Sequence, residues 1–299
     1  DRRDGNFNLR IWIMRKLKNK TLVEIEETGI CGDLDKGSNC TNPVQPAHTY
    51  LEVYDILFAP YKESNTSIME IGIQYGCSLR LWKEYFTEDS SVFGIDICDN
   101  CSIEKVYKNL RENAFPNPME VDLDEDFTNI HLDKVDSHNP QQYLDKLYLN
   151  QTKFDIIIDD GWHSPTSNVV NFMNFIPYLK KDGLYVVEDM NIDGHFDEVV
   201  NALDLLGYEL HIIDMRHTER PDNVLGIYYH RDGMHSQIFE SFLSSKVWEK
   251  EYQFSVDYSI KKQQELIRKG VGGWNPHTHP NNVGGSIYPE TNNDRRFIT

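Results

Sequence analysis

Short apolar runs rich in β-branched residues alternate with amphipathic stretches through the middle of this chain. We predict strands at the short apolar runs and helices where apolar residues recur every three or four positions. The predicted strands cover residues 67–73, 91–97, 129–135, 154–160, 184–190, 208–216 and 224–231. The predicted helices cover residues 48–58, 78–86, 103–113, 140–148, 165–179, 196–206, 237–250 and 256–269. Strands and helices that alternate in this way predict an α/β fold with a doubly wound, mostly parallel sheet.

The last two predicted strands are joined by a short connection, residues 217–223. A crossover between parallel strands needs about a dozen residues or more, so this connection is too short for one. We therefore expect these two strands to form an antiparallel pair at one edge. The complete prediction is a Rossmann-like, seven-stranded, mostly parallel sheet with an antiparallel edge strand.

The two ends of the chain lack this alternation. Residues 8–19 carry apolar side chains near helical spacing with basic residues between them, which predicts an amphipathic helix. Residues 31–47 and 270–299 are rich in Gly, Pro and Asn without a regular period, which is typical of loops or extended arms. We expect three parts: a helical N-terminal extension over 1–60, a ligand-binding domain over 61–235, and helices with an irregular tail over 236–299.

The charge balance narrows the class of partner. The chain has 48 acidic and 30 basic residues, which gives a net charge of −18. Such a field repels nucleic acid phosphates and anionic membranes, so we expect neither as a partner. No apolar run approaches the roughly 20 residues that a membrane span needs. The five cysteines form no recognisable disulfide or zinc framework, and we expect a cytoplasmic protein.

Three strand ends predict a nucleoside site, because ligands of such folds bind at the carboxyl ends of the strands. The first strand ends in a turn in which Gly72 and Gly76 let the backbone approach a ligand, without the three-glycine dinucleotide fingerprint. The second ends in Asp96, an acid suited to ribose hydroxyls. The third runs into Asp136 and Ser137, which can reach an adenine. Together they predict an adenosine-containing cofactor without a pyrophosphate.

Carboxylates follow the fourth and fifth strands, as Asp159 with Asp160 and as Glu188 with Asp189. Acids at one rim repel each other unless they are protonated or bridged by a cation. Oxygen ligands favour Mg²⁺, Mn²⁺ or Ca²⁺ over zinc, although a solvated acidic rim is the alternative. His163 lies three residues after Asp160 and, as neutral imidazole, can take a proton from a substrate hydroxyl.

The segments at 70–86, 94–97, 154–164 and 183–190 resemble class I S-adenosylmethionine-dependent methyltransferases. Within that class they are similar to the metal-dependent sugar O-methyltransferases of macrolide and related glycoside biosynthesis. Ahead of them, the set Asp35, Lys36, His48, Tyr50 and Tyr54 resembles the D-K, H-x-Y and Y element of that group. The similarity covers roughly residues 30–235, so the expected central domain is one that binds S-adenosylmethionine.

The resemblance implies S-adenosyl-L-methionine as the cofactor and Mg²⁺ or Mn²⁺ as the metal. The residues implied to bind the cofactor are Glu70, Gly72, Gly76, Ser78, Asp96, Asp136, Ser137 and Asp159. The implied metal ligands are Asp160, Glu188 and Asp189, and the implied general base is His163.

The implied reaction is methyl transfer to a small-molecule or glycan acceptor with neighbouring hydroxyls. The metal would hold two of those hydroxyls, and His163 would remove a proton as the oxygen attacks the sulfonium methyl. Trp162 stands where the family has a small hydroxyl residue, so the resemblance does not identify the acceptor. The oligomeric state is left open, with a homo-oligomer as one outcome.

Three other functions remain open at this point. A catechol-type O-methyltransferase would keep the same cofactor and metal but act on an aromatic diol. A nicotinamide-dependent sugar oxidoreductase would need the three-glycine fingerprint, which residues 70–76 lack. A binding module without catalytic activity would bind the cofactor without transferring a methyl group to any diol.

Overall fold

The structure is a computed structural model that describes residues 20–245, except 30, 32–33, 38–47, 99–101, 103, 107, 109–128, 145–151, 191–193 and 216–221. The predicted helices at 8–19 and 256–269, the tail at 270–299 and most of the predicted helix at 103–113 lie outside this part of the chain. None of the helices in the described ranges is both long enough and apolar enough to cross a membrane.

A seven-stranded sheet forms the centre of the described chain. Its strands are β1 (Ser67–Ile71), β2 (Ser91–Asp96), β3 (Ile130–Lys134), β4 (Phe154–Asp159), β5 (Leu179–Val187), β6 (His211–Asp214) and β7 (Val224–Tyr229). The strand order is β3-β2-β1-β4-β5-β7-β6, and strands β1 to β5 are parallel. β7 is antiparallel to both β5 and β6. The predicted fold class is therefore confirmed, and the reversed strand lies one position in from the edge, beside β6.

The helices lie between the strands as the apolar spacing predicted. They are α1 (Leu22–Glu26), α2 (Leu51–Phe58), α3 (Cys77–Tyr85), α4 (Pro140–Leu144), α5 (Pro165–Phe175), α6 (His195–Leu205) and α7 (Ser236–Ser245), with 3₁₀ turns at Ala59–Tyr61 and Ile176–Tyr178. The short helix α1 was not predicted. It begins with a capping box, in which the Thr21 hydroxyl accepts from the Glu24 amide and the Glu24 carboxylate accepts from the Thr21 amide.

The predicted helix at 165–179 is too long. α5 ends at Phe175, and Pro177 then lies in the 3₁₀ turn that precedes β5. Proline has no amide hydrogen to donate and its ring crowds the preceding turn, so it ends the helix here. β5 consequently begins at Leu179, five residues before the predicted strand start at Leu184.

Both faces of the sheet are covered, because adjacent residues of a strand point to opposite faces. Ile156 and Ile158 of β4 belong to a buried cluster that also contains residues of α1, α2, α3 and α7. Ile157 between them belongs to a second cluster, which contains residues of α5 and α6. Leu22 and Tyr54 of the N-terminal helices are fully buried in the first cluster. The boundary at residue 60 stays a prediction.

The second cluster gives a test of the packing. Phe172 of α5 is fully buried and its ring lies 4.9–5.2 Å from the rings of Tyr185, Tyr208 and Tyr228. We expect Phe172→Ala to lower the free energy of unfolding by about 3–5 kcal/mol, because it leaves a cavity that neighbouring rings cannot fill. Leu205→Ala is the control, since Leu205 is 87% exposed, and it should change the value by less than about 0.5 kcal/mol. Urea denaturation measures both, and equal losses would contradict this packing.

Candidate active site

Backbone hydrogen bonds continue past the ends of the central strands and bring the predicted acids to one rim. The Asp160 amide donates to the Ile71 carbonyl at 2.9 Å, and the Glu188 amide donates to the Asp159 carbonyl at 2.9 Å. The residues that follow β4 and β5 are therefore held beside the turn that follows β1. Asp189 has a φ of 54°, a left-handed backbone conformation uncommon outside glycine. Such conformations are concentrated at functional sites.

The turn after β1 depends on Gly72, which has a φ of +84°. A β-carbon at this position would lie 2.1 Å from the Asp160 carbonyl oxygen. Only glycine combines this backbone conformation with such a close approach. The first predicted cofactor turn and the first predicted metal ligand are thus in direct contact.

A cavity of about 230 Å³ opens beside this turn. Four of the predicted cofactor residues line it: Gly72, Asp96, Asp136 and Ser137. Its apolar walls are Ile71, Ile95, Ile97 and Val135, and its remaining lining residues are His138, Gly161, Trp162 and Ser167. The structure therefore places Trp162, which is 52% exposed, on the wall of this cavity. A polar rim around apolar walls fits a nucleoside.

Asp96 holds the rim of the cavity together. Its Oδ2 accepts from the amides of Ile73 and Gln74 at 3.1 and 3.0 Å, and its Oδ1 accepts from the Cys98 amide at 2.8 Å. One carboxylate thus connects the end of β2 to the turn after β1. The side chain lies where an acid could reach the hydroxyls of a bound ribose.

Three other predicted cofactor residues lie below this rim. Glu70 is fully buried, and its Oε2 accepts from the Ser78 hydroxyl at 2.7 Å and from the Trp82 indole at 2.9 Å. Gly76 begins α3 with a φ of +81°. Glu70 and Ser78 are therefore partners of each other across β1 and α3, and neither lines the cavity.

Asp159 is not among the residues that line the cavity. Its side chain is fully buried, and its two oxygens accept from the amide groups of Asn168 and Asn171 at 3.1 and 2.8 Å and from the Gly161 backbone amide at 3.3 Å. These contacts connect the end of β4 to α5. Of the two consecutive acids, only Asp160 joins the cluster described next.

The ammonium group of Lys36 lies at the centre of the remaining acids. It donates to Asp160 Oδ2 at 2.6 Å and to Glu188 Oε2 at 2.5 Å, and it lies 3.3 Å from Glu70 Oε1. Burial lowers the pKa of the Lys36 ammonium, but the three carboxylates outweigh it and hold the pKa well above its ordinary value. Lys36 is therefore a buried cation.

Burial acts on the pKa values of the acids in the opposite sense to its effect on the Lys36 pKa. Burial raises the pKa of Glu188 well above its usual range, and Lys36 offsets only part of that effect. Burial also raises the pKa of Asp160, to about 7, against the opposing effect of Lys36. These carboxylates gain from any further cation that approaches them.

Aromatic residues of the N-terminal segment complete the cluster. Tyr54 donates to Glu188 Oε1 at 2.5 Å, and Tyr50 donates to Asp189 Oδ1 at 2.6 Å. His48 stacks on Tyr50, and its Nε2 lies 3.2 Å from Asp189 Oδ1. Both oxygens of Glu188 are thus occupied, by Tyr54 and Lys36.

His163 stands at the open side of the cluster. Its side chain is 36% exposed, and its Nε2 lies 3.8 Å from Asp160 Oδ1 and 3.8 Å from Asp189 Oδ2. Burial lowers the pKa of the imidazole, but the carboxylates of Asp189 and Asp160 outweigh it and raise the pKa above its ordinary value. The ring is accessible and close to two acids, as a proton acceptor requires.

Among the residues that the structure describes, two groups of side chains could each hold a metal ion. Asp160, His163 and Asp189 offer ligand atoms within 4.8 Å of one another, and His48, Asp189 and Asp222 do the same. Glu188 belongs to neither group, although it is adjacent in sequence and shares Lys36 with Asp160. The donor sets are rich in carboxylate oxygen, which fits a hard divalent cation.

The motifs at the strand ends do not indicate that Lys36, Tyr50 and Tyr54 contact the acids. Lys36, Tyr50 and Tyr54 reach the acids through contacts that span more than 120 positions of the chain. Only the resemblance of the D-K and H-x-Y element indicated them, and it gave them no role. His138 and Ser167, whose side chains lie 2.8 Å apart in the cavity wall, had no signal at all.

A parallel sheet with a nucleoside-sized cavity and an acidic cluster at its carboxyl rim defines the Rossmann-like, ligand-binding class of α/β fold. No protein-family model matches the chain.

Curated proteins with detectable similarity are O-methyltransferases. The 8-demethyl-8-α-L-rhamnosyl tetracenomycin-C 2′-O-methyltransferase of Streptomyces olivaceus is 30% identical over 188 residues, covering 58% of this chain and 43% of that protein. Demethylmacrocin O-methyltransferase of Streptomyces fradiae is 27% identical over 190 residues, covering 59% and 42%. These relatives confirm the resemblance that the motifs indicated. The alignments span less than half the length of the curated relatives.

Among solved structures, the chain is similar to MycE methyltransferase from the mycinamycin biosynthetic pathway, in complex with Mg, SAH and mycinamycin VI. The identity is 21% and the TM-score 0.47, over 70% of this chain and 54% of the MycE chain. A likeness at this level does not assign a function.

The close approach at Gly72 gives a test with a matched control. We expect Gly72→Ala to lower the free energy of unfolding by about 1–2 kcal/mol for the left-handed backbone and by a further ~1–3 kcal/mol for the collision with Asp160. Gly207→Ala has the same backbone strain, with a φ of +85°, but its β-carbon meets nothing within 4 Å. Urea denaturation of both variants separates the two contributions. Equal losses would show that the turn and Asp160 are not in contact.

Proposed function

We propose that this chain transfers a methyl group from S-adenosyl-L-methionine to a hydroxyl of a sugar or glycoside, with a divalent metal ion at the acidic cluster. The observation that carries the proposal is the placement of two features on one rim. The cavity lined by Gly72 and Asp96 lies beside the cluster of Asp160, His163 and Asp189. A methyl donor and a metal-held acceptor would meet at such a boundary.

The cavity supports an adenosine-type cofactor. Asp96 would bind the ribose hydroxyls, while Asp136 and Ser137 would flank the adenine between apolar walls. Gly72 would let the backbone approach the rest of the cofactor. Glu70, Gly76, Ser78 and Asp159 support the same site indirectly, because their contacts hold β1, α3 and α5 in place rather than line the cavity.

The carboxylates of Asp160 and Asp189 would hold the metal, with Glu188 kept beside them by Lys36 and Tyr54. Bound Mg²⁺ or Mn²⁺ supplies Lewis acidity, which lowers the pKa of a hydroxyl it coordinates. Oxygen donors are the ligands that these two ions prefer. The two bonds that hold Glu188 fix its position before any ion arrives.

His163 would act as the general base. Its imidazole is partly exposed on the acceptor side of Asp160 and Asp189, where a ring nitrogen can take the proton of the attacking hydroxyl. The two carboxylates stabilise the imidazolium that forms. The acceptor oxygen then forms its bond to the methyl carbon as the carbon–sulfur bond breaks, and S-adenosylhomocysteine leaves.

The choice of a sugar acceptor rests on the relatives, one of which is a rhamnosyl tetracenomycin-C 2′-O-methyltransferase. An acidic cluster that binds one divalent ion suits a pair of neighbouring hydroxyls, which sugars and catechols both offer. Glycosides and catechols should therefore both be tested as methyl acceptors.

The direct test combines cofactor binding with methyl transfer. Calorimetric titration with S-adenosylhomocysteine should show one site per chain. Transfer of labelled methyl from S-adenosylmethionine to vicinal-diol glycosides should require Mg²⁺ or Mn²⁺, stop in EDTA and return when the metal is restored. Full activity in EDTA would remove the metal from the mechanism. Transfer to catechols alone would identify an aromatic-diol enzyme, and binding without transfer to any diol would indicate a binding module.

His163→Ala tests the base. We expect kcat to fall by a factor on the order of 10²–10⁴, because no base then takes the proton of the attacking hydroxyl. The affinity for S-adenosylhomocysteine should stay within about twofold. His230→Ala, at the far end of β7, is the control and should leave kcat unchanged. Equal kcat for His163→Ala and the unsubstituted chain would contradict the assignment.

The pH profile gives an independent check on the same residue. The neutral imidazole is the active form, and its pKa is raised by Asp189 and Asp160 against the effect of burial. The value of kcat/KM should therefore rise with pH as the imidazole loses its proton. His163→Ala should lose that rising limb. A limb that persists unchanged in the variant would belong to another group.

A further inference from the structure

Lys36 makes contacts that the proposed reaction does not use. Its side chain is only 3% exposed, and its one ammonium group meets acids from three different strand ends: Glu70 on β1, Asp160 after β4 and Glu188 after β5. Glu70 is bonded to Ser78 and Trp82 of α3, next to the turn that forms the cofactor cavity. The lysine therefore connects the structure beneath the cofactor cavity with the acids that we assign to the metal.

The backbone around Lys36 is held in place from both sides. The Tyr50 amide donates to the Lys36 carbonyl at 2.9 Å, and the His48 amide donates to the Asp35 carbonyl at 2.7 Å. The next residue, Gly37, packs against the Glu26 side chain. A β-carbon at position 37 would lie 2.2 Å from the Glu26 carboxylate. Because this backbone is already held, Lys36 loses only side-chain freedom when its ammonium group contacts the acids.

The acids around Lys36 need a cation among them. The carboxylates of Glu70, Asp160 and Glu188 lie within 3.3 Å of one ammonium group, and Asp189 is in the same cluster as Asp160. Buried acids at such separations repel each other strongly unless a positive charge lies between them. One ammonium group offsets only part of this repulsion, so the acids still gain from a divalent ion that approaches them.

We propose that Lys36 is a positioning residue and internal counter-ion, which lets the acidic cluster fold before a metal is bound and holds Asp160, with Glu188 beside it, in position for the metal. The proposal rests on the proposed function only for the identity of the ion, a divalent cation. It has a specific consequence. Removal of Lys36 should make the fold depend on a divalent cation, and that cation should then bind more tightly because a nearby positive charge is gone.

A purely structural lysine would behave differently. If Lys36 served only to fill space or tether residues 34–37, its loss would destabilise the chain to the same extent with and without divalent ions. The response to the ion is therefore the readout that separates the two roles.

The experiment measures thermal unfolding of the full chain in EDTA, in 5 mM Mg²⁺ and in Mn²⁺, with ionic strength matched by KCl. We expect Lys36→Met to lower Tm in EDTA by about 10 °C, as expected when one partner of a buried ion cluster is removed. Mg²⁺ or Mn²⁺ should recover more than half of that loss. The Kd for Mn²⁺, from calorimetry, should fall about tenfold or more relative to the unsubstituted chain.

Two further variants complete the design. Lys180→Met removes a lysine whose single ion pair with Asp155, at 2.8 Å, lies at the opposite end of the strands, and it should show neither the large loss nor the gain in ion response. The double variant Lys36→Met with Glu188→Gln removes one charge of each sign and should regain much of the Tm in EDTA. If Lys36→Met does not fold in EDTA at all, folding upon addition of Mn²⁺ and recovery in the double variant both support the proposal.

Three results would overturn it: an unchanged Tm for Lys36→Met in EDTA, a loss that neither divalent ion reduces, or a loss that Glu188→Gln does not relieve. None of these measurements uses a methyl acceptor. Failure of the proposed function would appear instead as an unsubstituted chain that binds no S-adenosylhomocysteine or methylates no diol, so the two failures are distinguishable.

Discussion

The contact between one buried ammonium group and three carboxylates is the interaction on which the rest of the site depends. Parallel strands end at a common rim, so acids at the ends of β1, β4 and β5 lie close together whatever their charges. Without a cation among them, burial would favour their neutral forms, and a neutral acid is a poor metal ligand. Lys36 offsets part of this effect, because its ammonium group comes from outside the sheet and lies among the three acids.

This arrangement also connects the two halves of the site. Gly72 touches the Asp160 backbone on one side, while Glu70, two residues earlier, touches Lys36 on the other. A change in the turn beside the cavity would therefore reach Asp160 both through the backbone and through Lys36. The reaction that we propose needs the acceptor oxygen held close to the methyl carbon and in line with the carbon–sulfur bond, so a rigid connection of this kind serves it directly.

Much of the fold could be predicted because its causes are local. β-Branched runs at 67–71 and 154–159 favour extended strands, and the amphipathic stretches between them need the resulting sheet to cover their apolar faces. The position of β7 could not be predicted in the same way. The short connection before it required an antiparallel pair with β6, but which of the two strands pairs with β5 depends on packing against the whole sheet. The end of α5 was misjudged for a local reason, since Pro177 interrupts a continuous apolar pattern.

The acids at the strand ends and the glycine turn were visible in the sequence by itself, because strand direction alone carries the residues after β1, β2, β4 and β5 to one rim. The sequence also determined the class of chemistry that such residues could perform. Only the tertiary structure decided which acids face each other. Asp159 and Asp160 are neighbours in the chain, yet successive side chains point to opposite faces, so one is bonded to Asn168 and Asn171 of α5 and the other to Lys36. The lysine itself lies 124 positions from Asp160, and no local pattern records a contact made across that distance.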